Sequence, residues 1–139
     1  MECVLCDRKL KYDDGKIWVW KENKTRPSYW FEVKAKCVSA NGYRQVRIKK
    51  RLFLYHRIVY HLHNLEWNIL DNSHDNSIDH IDRNKLNNSI DNLRVVNNQQ
   101  NGWNRGNVKG YYFIKASGKW VAKINVDGKS KYLGYFLQE

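Results

Sequence analysis

Apolar and polar positions alternate with a period of two between residues 16 and 51, and this alternation is typical of β-strands. Aromatic and β-branched side chains are frequent there, above all at residues 29–38. The Asn-Gly pair at 41–42 is a strong hairpin signal, so we expect residues 29–38 to pair with residues 43–50. The pattern predicts an N-terminal antiparallel sheet, which we assign to residues 1–51.

The period changes at residues 54–64. Leu54, Ile58 and Leu62 lie four positions apart, with Val59 beside them, so an α-helix would carry them on one apolar face. Residues 66–77 are polar and hold no clear element, which is typical of a loop.

A second small unit is predicted directly after this loop. Residues 77–81 form a short apolar strand, residues 82–91 an asparagine-rich loop, and residues 92–96 a second strand, followed by a short helix at 99–104. This ββα unit is too small to bury a core alone, so the preceding helix and sheet must cover it.

The C-terminal part predicts three strands at residues 111–115, 119–126 and 130–136, with turns between them. On the middle strand one face is expected to be core and the other basic and polar. The core face would carry Trp120, Ala122, Ile124 and Val126, and the opposite face Lys119, Val121, Lys123 and Asn125.

Charge is distributed unevenly along the 139 residues, whose formal net charge is +11. Residues 1–57 carry 15 basic against six acidic residues, residues 58–107 four against six, and residues 108–139 six against two. Two basic arms around an acidic centre suit a protein that binds a polyanion and uses a cation in its active site. The alternative is a basic surface that only serves solubility.

The three cysteines, Cys3, Cys6 and Cys37, cannot all pair with one another. The start of the chain does not resemble a signal peptide, and no apolar run approaches the roughly 20 residues of a membrane helix. We therefore expect an intracellular protein that is not secreted and has no membrane partner. The cysteines could supply three ligands of a structural Zn²⁺ site with a histidine as the fourth, but the second Cys pair of such sites is missing, and reduced cysteines are the preferred interpretation.

The segment 78–104 carries the chemistry. Asp79 and His80 stand together, Asn92 follows His80 by 12 residues, and Asn101 follows Asn92 by nine. A longer pattern, D-H-x-D-x-x-x-x-N-N-x-x-x-N-L-R-x-V, runs from residue 79 to residue 96. In spacing and flanking residues this segment resembles the active-site motif of HNH endonucleases of the phage and homing type. The resemblance implies a ββα-metal fold that hydrolyses phosphodiester bonds with one divalent ion.

The residue types suit that chemistry. Histidine as a residue type can take a proton from water at neutral pH, so His80 is a candidate general base. Asp79 and the Asn101 amide offer oxygen ligands, which Mg²⁺ or Mn²⁺ prefers, and we expect tight binding only once DNA is present. The resemblance implies the same roles, and implies that Asn92 ties the loop to the helix so that His80 stays aimed.

A second resemblance concerns the C-terminal strands. Gly-Lys-Trp-Val-Ala at 118–122 and Leu-Gly-Tyr-Phe at 133–136 resemble the three-stranded sheet of AP2-type DNA-binding domains. It implies that Lys119, Lys123, Asn125 and Tyr132 face DNA. Such domains continue into a helix, whereas this sequence ends at Glu139, so the sheet is expected to lack its helix here. Either the helix comes from elsewhere, the sequence is part of a longer chain, or the sheet is weakly ordered when free.

Further DNA contacts are predicted in the N-terminal arm, where basic side chains share a hairpin face, and at the start of the helix. The residues concerned are Lys34, Lys36, Arg47, Lys49 and Arg57. An ordinary solvated face is the alternative for any one of these lysines.

Taken together, the sequence predicts an α+β protein with an HNH ββα-metal core at residues 52–107, the N-terminal sheet at 1–51 and the AP2-like sheet at 108–139. The expected function is metal-dependent cleavage of double-stranded DNA in a bacterial, phage or viral-host setting. The alternative is a DNA-binding protein that uses the same scaffold without cleaving. RNA is a less favoured substrate, and the sequence leaves open whether the chain is a homodimer.

Overall fold

The computed structural model describes residues 1–35, 37–104, 110–127 and 129–137. The chain forms two compact units, Met1–Asn97 and Asn98–Glu139. Several small antiparallel sheets and two helices make up the described residues, so the coarse α+β prediction is confirmed.

The first unit begins with a four-stranded antiparallel sheet whose strands follow one another in chain order. Its strands are β1 (Glu2–Leu5), β2 (Arg8–Asp13), β3 (Lys16–Lys21) and β4 (Tyr29–Glu32). Cys6 and Asp7 form the turn between β1 and β2, and both have left-handed backbone conformations, with φ of 51° and 55°. This is the geometry of a two-residue hairpin. The Cys3 to Cys6 spacing therefore belongs to a β-hairpin.

The second sheet corrects one predicted pairing. It contains β5 (Cys37–Val38), β6 (Arg44–Ile48) and β7 (Arg51–Leu54). Only its first strand keeps the expected hairpin with residues 43–50, because β4 pairs with β3 instead. That alternative pairing packs Trp20 edge-on against Trp30, with ring centroids 5.2 Å apart. Such aromatic pairs stabilise neighbouring strands.

Helix α1 (Tyr55–His63) follows β7 directly and confirms the helix predicted at residues 54–64. Ile58, Val59 and Leu62 are buried on its apolar face. They join one hydrophobic core drawn from the small sheets of the first unit, with Leu5, Leu10, Ile17, Val46, Ile48, Phe53, Ile69, Ile78 and Leu93. Ile78 and Leu93 bring the two strands of the predicted ββα motif into this core.

The two motif strands lie close to their predicted positions. Strand β8 (Ser77–His80) pairs antiparallel with β9 (Leu93–Val96), and a 3₁₀ turn (Ile90–Asn92) leads into β9. No helix or strand occupies residues 64–76, which confirms the loop predicted at residues 66–77 except at Ser77, where β8 begins.

The second unit contains helix α2 (Asn98–Trp103) and the strands β10 (Tyr111–Ile114), β11 (Lys119–Val126) and β12 (Lys129–Phe136). The strands form one antiparallel sheet in chain order, as predicted. The strand register defines two faces. The lysine-tyrosine face carries Tyr112, Lys119, Val121, Lys123, Tyr132 and Tyr135, and the tryptophan face carries Tyr111, Phe113, Trp120, Ala122, Ile124 and Phe136.

The predicted core face of β11 is only partly right. Trp120 is half-buried against the rings of Tyr111 and Phe113, but Ile124 and Val126 are exposed. Val121, expected on the polar face, is the buried residue of this strand, between its cross-strand neighbours on β10 and β12. A three-stranded sheet is too small to cover an entire apolar face by itself.

A search of the described helices for a membrane span finds neither of them long and apolar enough to cross a bilayer.

Candidate active site

Asp79 and His80 end strand β8, where they pair with Arg94 and Leu93 of β9. Both are buried, with 9% of Asp79 and 3% of His80 accessible to solvent. Charged and polar groups at this depth require hydrogen-bonding partners, because burial removes their contact with water. The structure supplies such partners for each of them.

The carboxylate of Asp79 is held by Arg94. The Nε and Nη2 atoms of Arg94 donate to Oδ2 of Asp79 at 3.2 Å and 2.9 Å. The guanidinium therefore places a positive charge beside the carboxylate that the sequence predicts to bind a cation.

The imidazole of His80 lies in a group of three rings. Its centroid is 4.8 Å from the ring of His56 on α1 and 5.8 Å from the ring of Tyr43. The rings of His56 and Tyr43 also contact each other at 5.2 Å. We call Tyr43, His56 and His80 the ring cluster.

The imidazole of His80 also contacts the loop that follows β8. Its Nε2 atom lies 2.9 Å from Oδ1 of Asn88. An amide oxygen accepts hydrogen bonds, so Nε2 is the donor in this contact.

His56 is neutral at physiological pH. Burial, and then the neighbouring His80, lowers the pKa of His56 to about 3. Its Nδ1 atom is buried and has no hydrogen-bond partner among the described residues.

Asn92 closes the loop between β8 and β9. Its Oδ1 accepts the backbone N–H of Asp82 at 3.0 Å, and its Nδ2 donates to Oδ1 of Asp82 and to the carbonyl of Asn87. The backbone N–H of Ile81 donates to the carbonyl of Asn92. We call these contacts the Asn92 clasp. They run within the loop and hold its ends together beside His80.

The loop between β8 and β9 also orders the side chain of Asp82 and contacts a segment that is distant in sequence. Hydrogen bonds from the side chain of Asn87, the backbone of Asn84 and the side chain of Asn92 hold the pKa of Asp82 below its usual value. Lys85 donates to the carbonyl of Asn41 at 2.8 Å and lies over the ring of Tyr43. Lys85 thereby connects the loop to Asn41 and to Tyr43, which is a member of the ring cluster.

The metal ligands predicted from sequence are distributed over both units. Asp79 lies in the first unit, whereas Asn101 is a half-buried residue of α2 in the second. Among the described side chains, no three or more His, Cys, Asp or Glu residues come together as a metal-binding group. Carboxylate and amide oxygens are ligands that Mg²⁺ or Mn²⁺ prefers, and the metal site predicted from these two residues stays a prediction.

The cysteines of the predicted zinc alternative are half-buried where they are described. Cys3 and Cys6 pack against the hydrophobic core, and burial raises the pKa of the Cys3 thiol. Zinc binds thiolates, so a raised pKa disfavours it. The side chain of Cys37 lies outside the described part of the chain.

The predicted DNA contacts of the N-terminal arm differ in their surroundings. Lys34 and Arg47 are exposed. Lys49 lies in the turn after β6 with φ of 53°, not on the strand as expected, and its ammonium is 2.9 Å from Asp7. Lys36 lies outside the described residues.

The guanidinium of Arg57 is engaged in contacts within the protein. Its guanidinium donates to the backbone carbonyls of Ile69, Asp71 and Asn76, and lies over the ring of Trp67. These contacts anchor the 64–76 loop to α1. A DNA contact by Arg57 stays a prediction.

In the second unit, Lys119, Lys123 and Tyr132 share the lysine-tyrosine face and are exposed. Tyr132 lies directly opposite Lys123, whose ammonium is 5.5 Å from the ring of Tyr112. Mixed lysines and aromatic rings suit contacts to nucleic acid. The side chain of Asn125 is not among those described.

The sequence interpretation missed residues that contact Asp79 or His80, among them Tyr43, His56, Asn88 and Arg94. Two of them, Asn88 and Arg94, stand inside the motif pattern, so their spacing could have indicated a role. Tyr43 and His56 are far from the motif in sequence, and no local pattern connects them to it.

No family model, no curated protein and no solved structure matches this chain.

Replacing Asn92 with alanine tests the Asn92 clasp. The variant leaves the backbone N–H of Asp82 and the carbonyl of Asn87 without their side-chain partner, so the free energy of unfolding should fall by about 1–3 kcal/mol. Urea unfolding measures that decrease, and amide hydrogen exchange at Asp82 should accelerate. Asn72→Ala in the exposed 64–76 loop is the control and should change stability by less than about 0.5 kcal/mol. Equal effects of the two variants would contradict the clasp.

The burial of His56 predicts a pH dependence of stability. The unfolded chain binds a proton at His56 below its ordinary pKa of 6.5, whereas the folded chain resists it until about pH 3. Stability from this group is therefore complete above pH 6.5 and declines as the pH falls toward 3. His56→Phe should flatten the decline over that interval in chemical unfolding series. An unchanged slope would mean that His56 is accessible to protons in the folded state.

Proposed function

We propose that the chain is a metal-dependent endonuclease that hydrolyses phosphodiester bonds in double-stranded DNA. The observation that carries this proposal is the arrangement at the end of β8. There a histidine in contact with Asn88 follows a buried carboxylate, beside a loop closed by an asparagine of the same motif. The fold supports the proposal only at the coarse level, as an α+β protein, and the assignment to an HNH core is part of what we propose.

His80 acts as the general base. In this proposal Nε2 donates to Asn88, and Nδ1 is the atom that takes the proton of the attacking water. Asn92 acts indirectly, by holding the ends of the loop that carries Asn88. Such support matters because proton transfer is sensitive to small errors in position.

Asp79 is the proposed cation ligand of the first unit, and the motif resemblance assigns the second oxygen ligand to Asn101. A bound Mg²⁺ or Mn²⁺ would supply a Lewis acid that stabilises charge on the phosphate and on the leaving oxygen. Arg94 holds the carboxylate of Asp79 in place and keeps positive charge beside it.

The two basic arms are proposed to bind the phosphates of the duplex. The net charge of +11 favours association with a polyanion. Exposed lysines on the lysine-tyrosine face and at Lys34, together with Arg47, support this part of the proposal.

A DNA-binding protein without nuclease activity is the second candidate. Two observations favour it: His80 is 3% exposed, and the carboxylate of Asp79 is engaged by Arg94. In that case the Asp-His pair stabilises the motif, and the basic surfaces carry the whole function.

Plasmid cleavage distinguishes the two candidates. Supercoiled plasmid is incubated with the wild-type protein and Mg²⁺ or Mn²⁺, with a chelator as the parallel reaction. We expect nicked or linear DNA only with the metal ion. His80→Ala should reduce the cleavage rate by at least about 100-fold, because the water loses its base.

The control for this test replaces an exposed histidine outside the motif. The His74→Ala variant should cleave DNA at the wild-type rate. DNA affinity and thermal stability are measured for each variant. A wild-type protein that binds DNA but never cleaves it would leave the second candidate. Cleavage by a folded His80→Ala variant at the normal rate would remove His80 from the mechanism.

The salt dependence of DNA binding tests the lysine-tyrosine face. Replacing Lys119 and Lys123 with alanine should reduce the slope of log K against log salt by about 0.9 for each phosphate that these lysines neutralise. The matched control is the double replacement of Lys129 and Lys131, which lie opposite Val126 and Ile124 on the other side of the same sheet. Anisotropy titrations with a fluorescent duplex measure both slopes. A larger reduction in the control would assign DNA to the tryptophan face.

A further inference from the structure

The ring cluster contains a buried polar residue that the proposed chemistry does not use. His56 is 3% exposed and lies in the first turn of α1. Its ring meets the ring of His80 edge-on, with an interplanar angle of 73°. The ring of Tyr43 contacts both imidazoles.

The polar Nδ1 atom of His56 contributes little to the stability of its buried side chain. Its Nδ1 atom is buried without a hydrogen-bond partner among the described residues, and an unsatisfied buried polar atom destabilises the folded state. The pKa of His56, lowered to about 3 by burial and by His80, keeps the ring uncharged at neutral pH. The residue therefore contributes as a flat, neutral ring and adds no positive charge against a protonated His80.

The contact between Nε2 and Asn88 holds one edge of the His80 imidazole. The orientation of the ring also depends on what prevents it from tilting about that edge. A ring packed edge-on at 4.8 Å and a second ring at 5.8 Å oppose such tilting. Catalytic groups depend on this kind of support from neighbouring side chains.

We propose that His56 is a positioning residue for the proposed general base: its flat ring, packed edge-on against His80, holds the imidazole in the orientation required for proton transfer. This inference rests on the proposed nuclease function. It assigns His56 no contact with DNA, with the cation or with the attacking water.

The chain offers a matched control on the same helix. His63 packs edge-on against Tyr12, with ring centroids 4.7 Å apart and an interplanar angle of 69°. The geometry of this pair is nearly that of His56 and His80, but His63 is not part of the ring cluster. Equivalent substitutions at the two positions therefore separate support of His80 from general packing of α1.

The test compares His56→Phe, His56→Leu and His56→Ala with the same three substitutions at His63. Single-turnover cleavage of a DNA duplex, DNA affinity and thermal midpoint are measured for each. We expect His56→Leu and His56→Ala to slow cleavage by about 10- to 100-fold with DNA affinity nearly unchanged, because the base is displaced by a fraction of an ångström. His56→Phe keeps a flat ring and should remain within about threefold of wild type.

A spectroscopic measurement accompanies the rates. The ring proton signals of His80 in NMR spectra should shift and broaden in His56→Leu and stay unchanged in His63→Leu. If the Leu and Ala variants fail to fold, His56→Met replaces them, since Met is flexible, apolar and tolerated in cores.

The outcomes separate the two proposals. Normal cleavage by folded His56→Leu or His56→Met, with wild-type cleavage intact, would overturn the positioning role alone. Equal slowing by His56→Phe and His56→Leu would also overturn it, because the flat ring would not matter. A wild-type protein that does not cleave DNA under any metal condition would overturn the nuclease function and this inference with it.

Discussion

The burial of one face of helix α1 is the constraint on which the first unit depends. Each of its sheets has only two to four strands, and sheets of that size rarely stand alone in water. Ile58, Val59 and Leu62 give these sheets a common surface to pack against. The same helix brings His56 to the end of β8 and Arg57 to the 64–76 loop. Packing of the core and placement of the candidate site are thus achieved by one element.

The local elements were largely predictable from sequence because their signals are local. The four-residue spacing of Leu54, Ile58 and Leu62 predicted α1, and alternation predicted β11. The pairing of strands was harder. Residues 29–38 could pair with the strand that precedes them or with the strand that follows them. The contact between Trp20 and Trp30 favours the β3–β4 pair, and this contact is visible only in three dimensions.

Other errors have similar causes. The hairpin of β1 and β2 was hidden because two cysteines three residues apart suggested a metal site, and its turn uses Cys6 and Asp7 instead of Gly or Asn. Strand β7 was missed because it runs without a break into α1. At the candidate site, the motif indicated Asp79, His80 and Asn92, but the contacts of His80 with Tyr43 and His56 join distant parts of the chain and leave no local trace.

The candidate site combines two kinds of support. The Asn92 clasp is made of hydrogen bonds, which fix direction, and the ring cluster is made of packed rings, which resist displacement. Lys85 connects the two, because it extends from the loop to the carbonyl of Asn41 and the ring of Tyr43. A substitution in any of these segments is therefore expected to alter the position of His80, even where the substituted residue does not contact it.

The order of strands has a consequence for how the chain reaches its native state. In every sheet of the described residues, neighbouring strands are also neighbours in sequence. Short excursions between paired segments lose little chain entropy, so such hairpins can form early and independently. The slower event would be the docking of preformed hairpins on α1, which brings together residues as distant as Leu10 and Leu62.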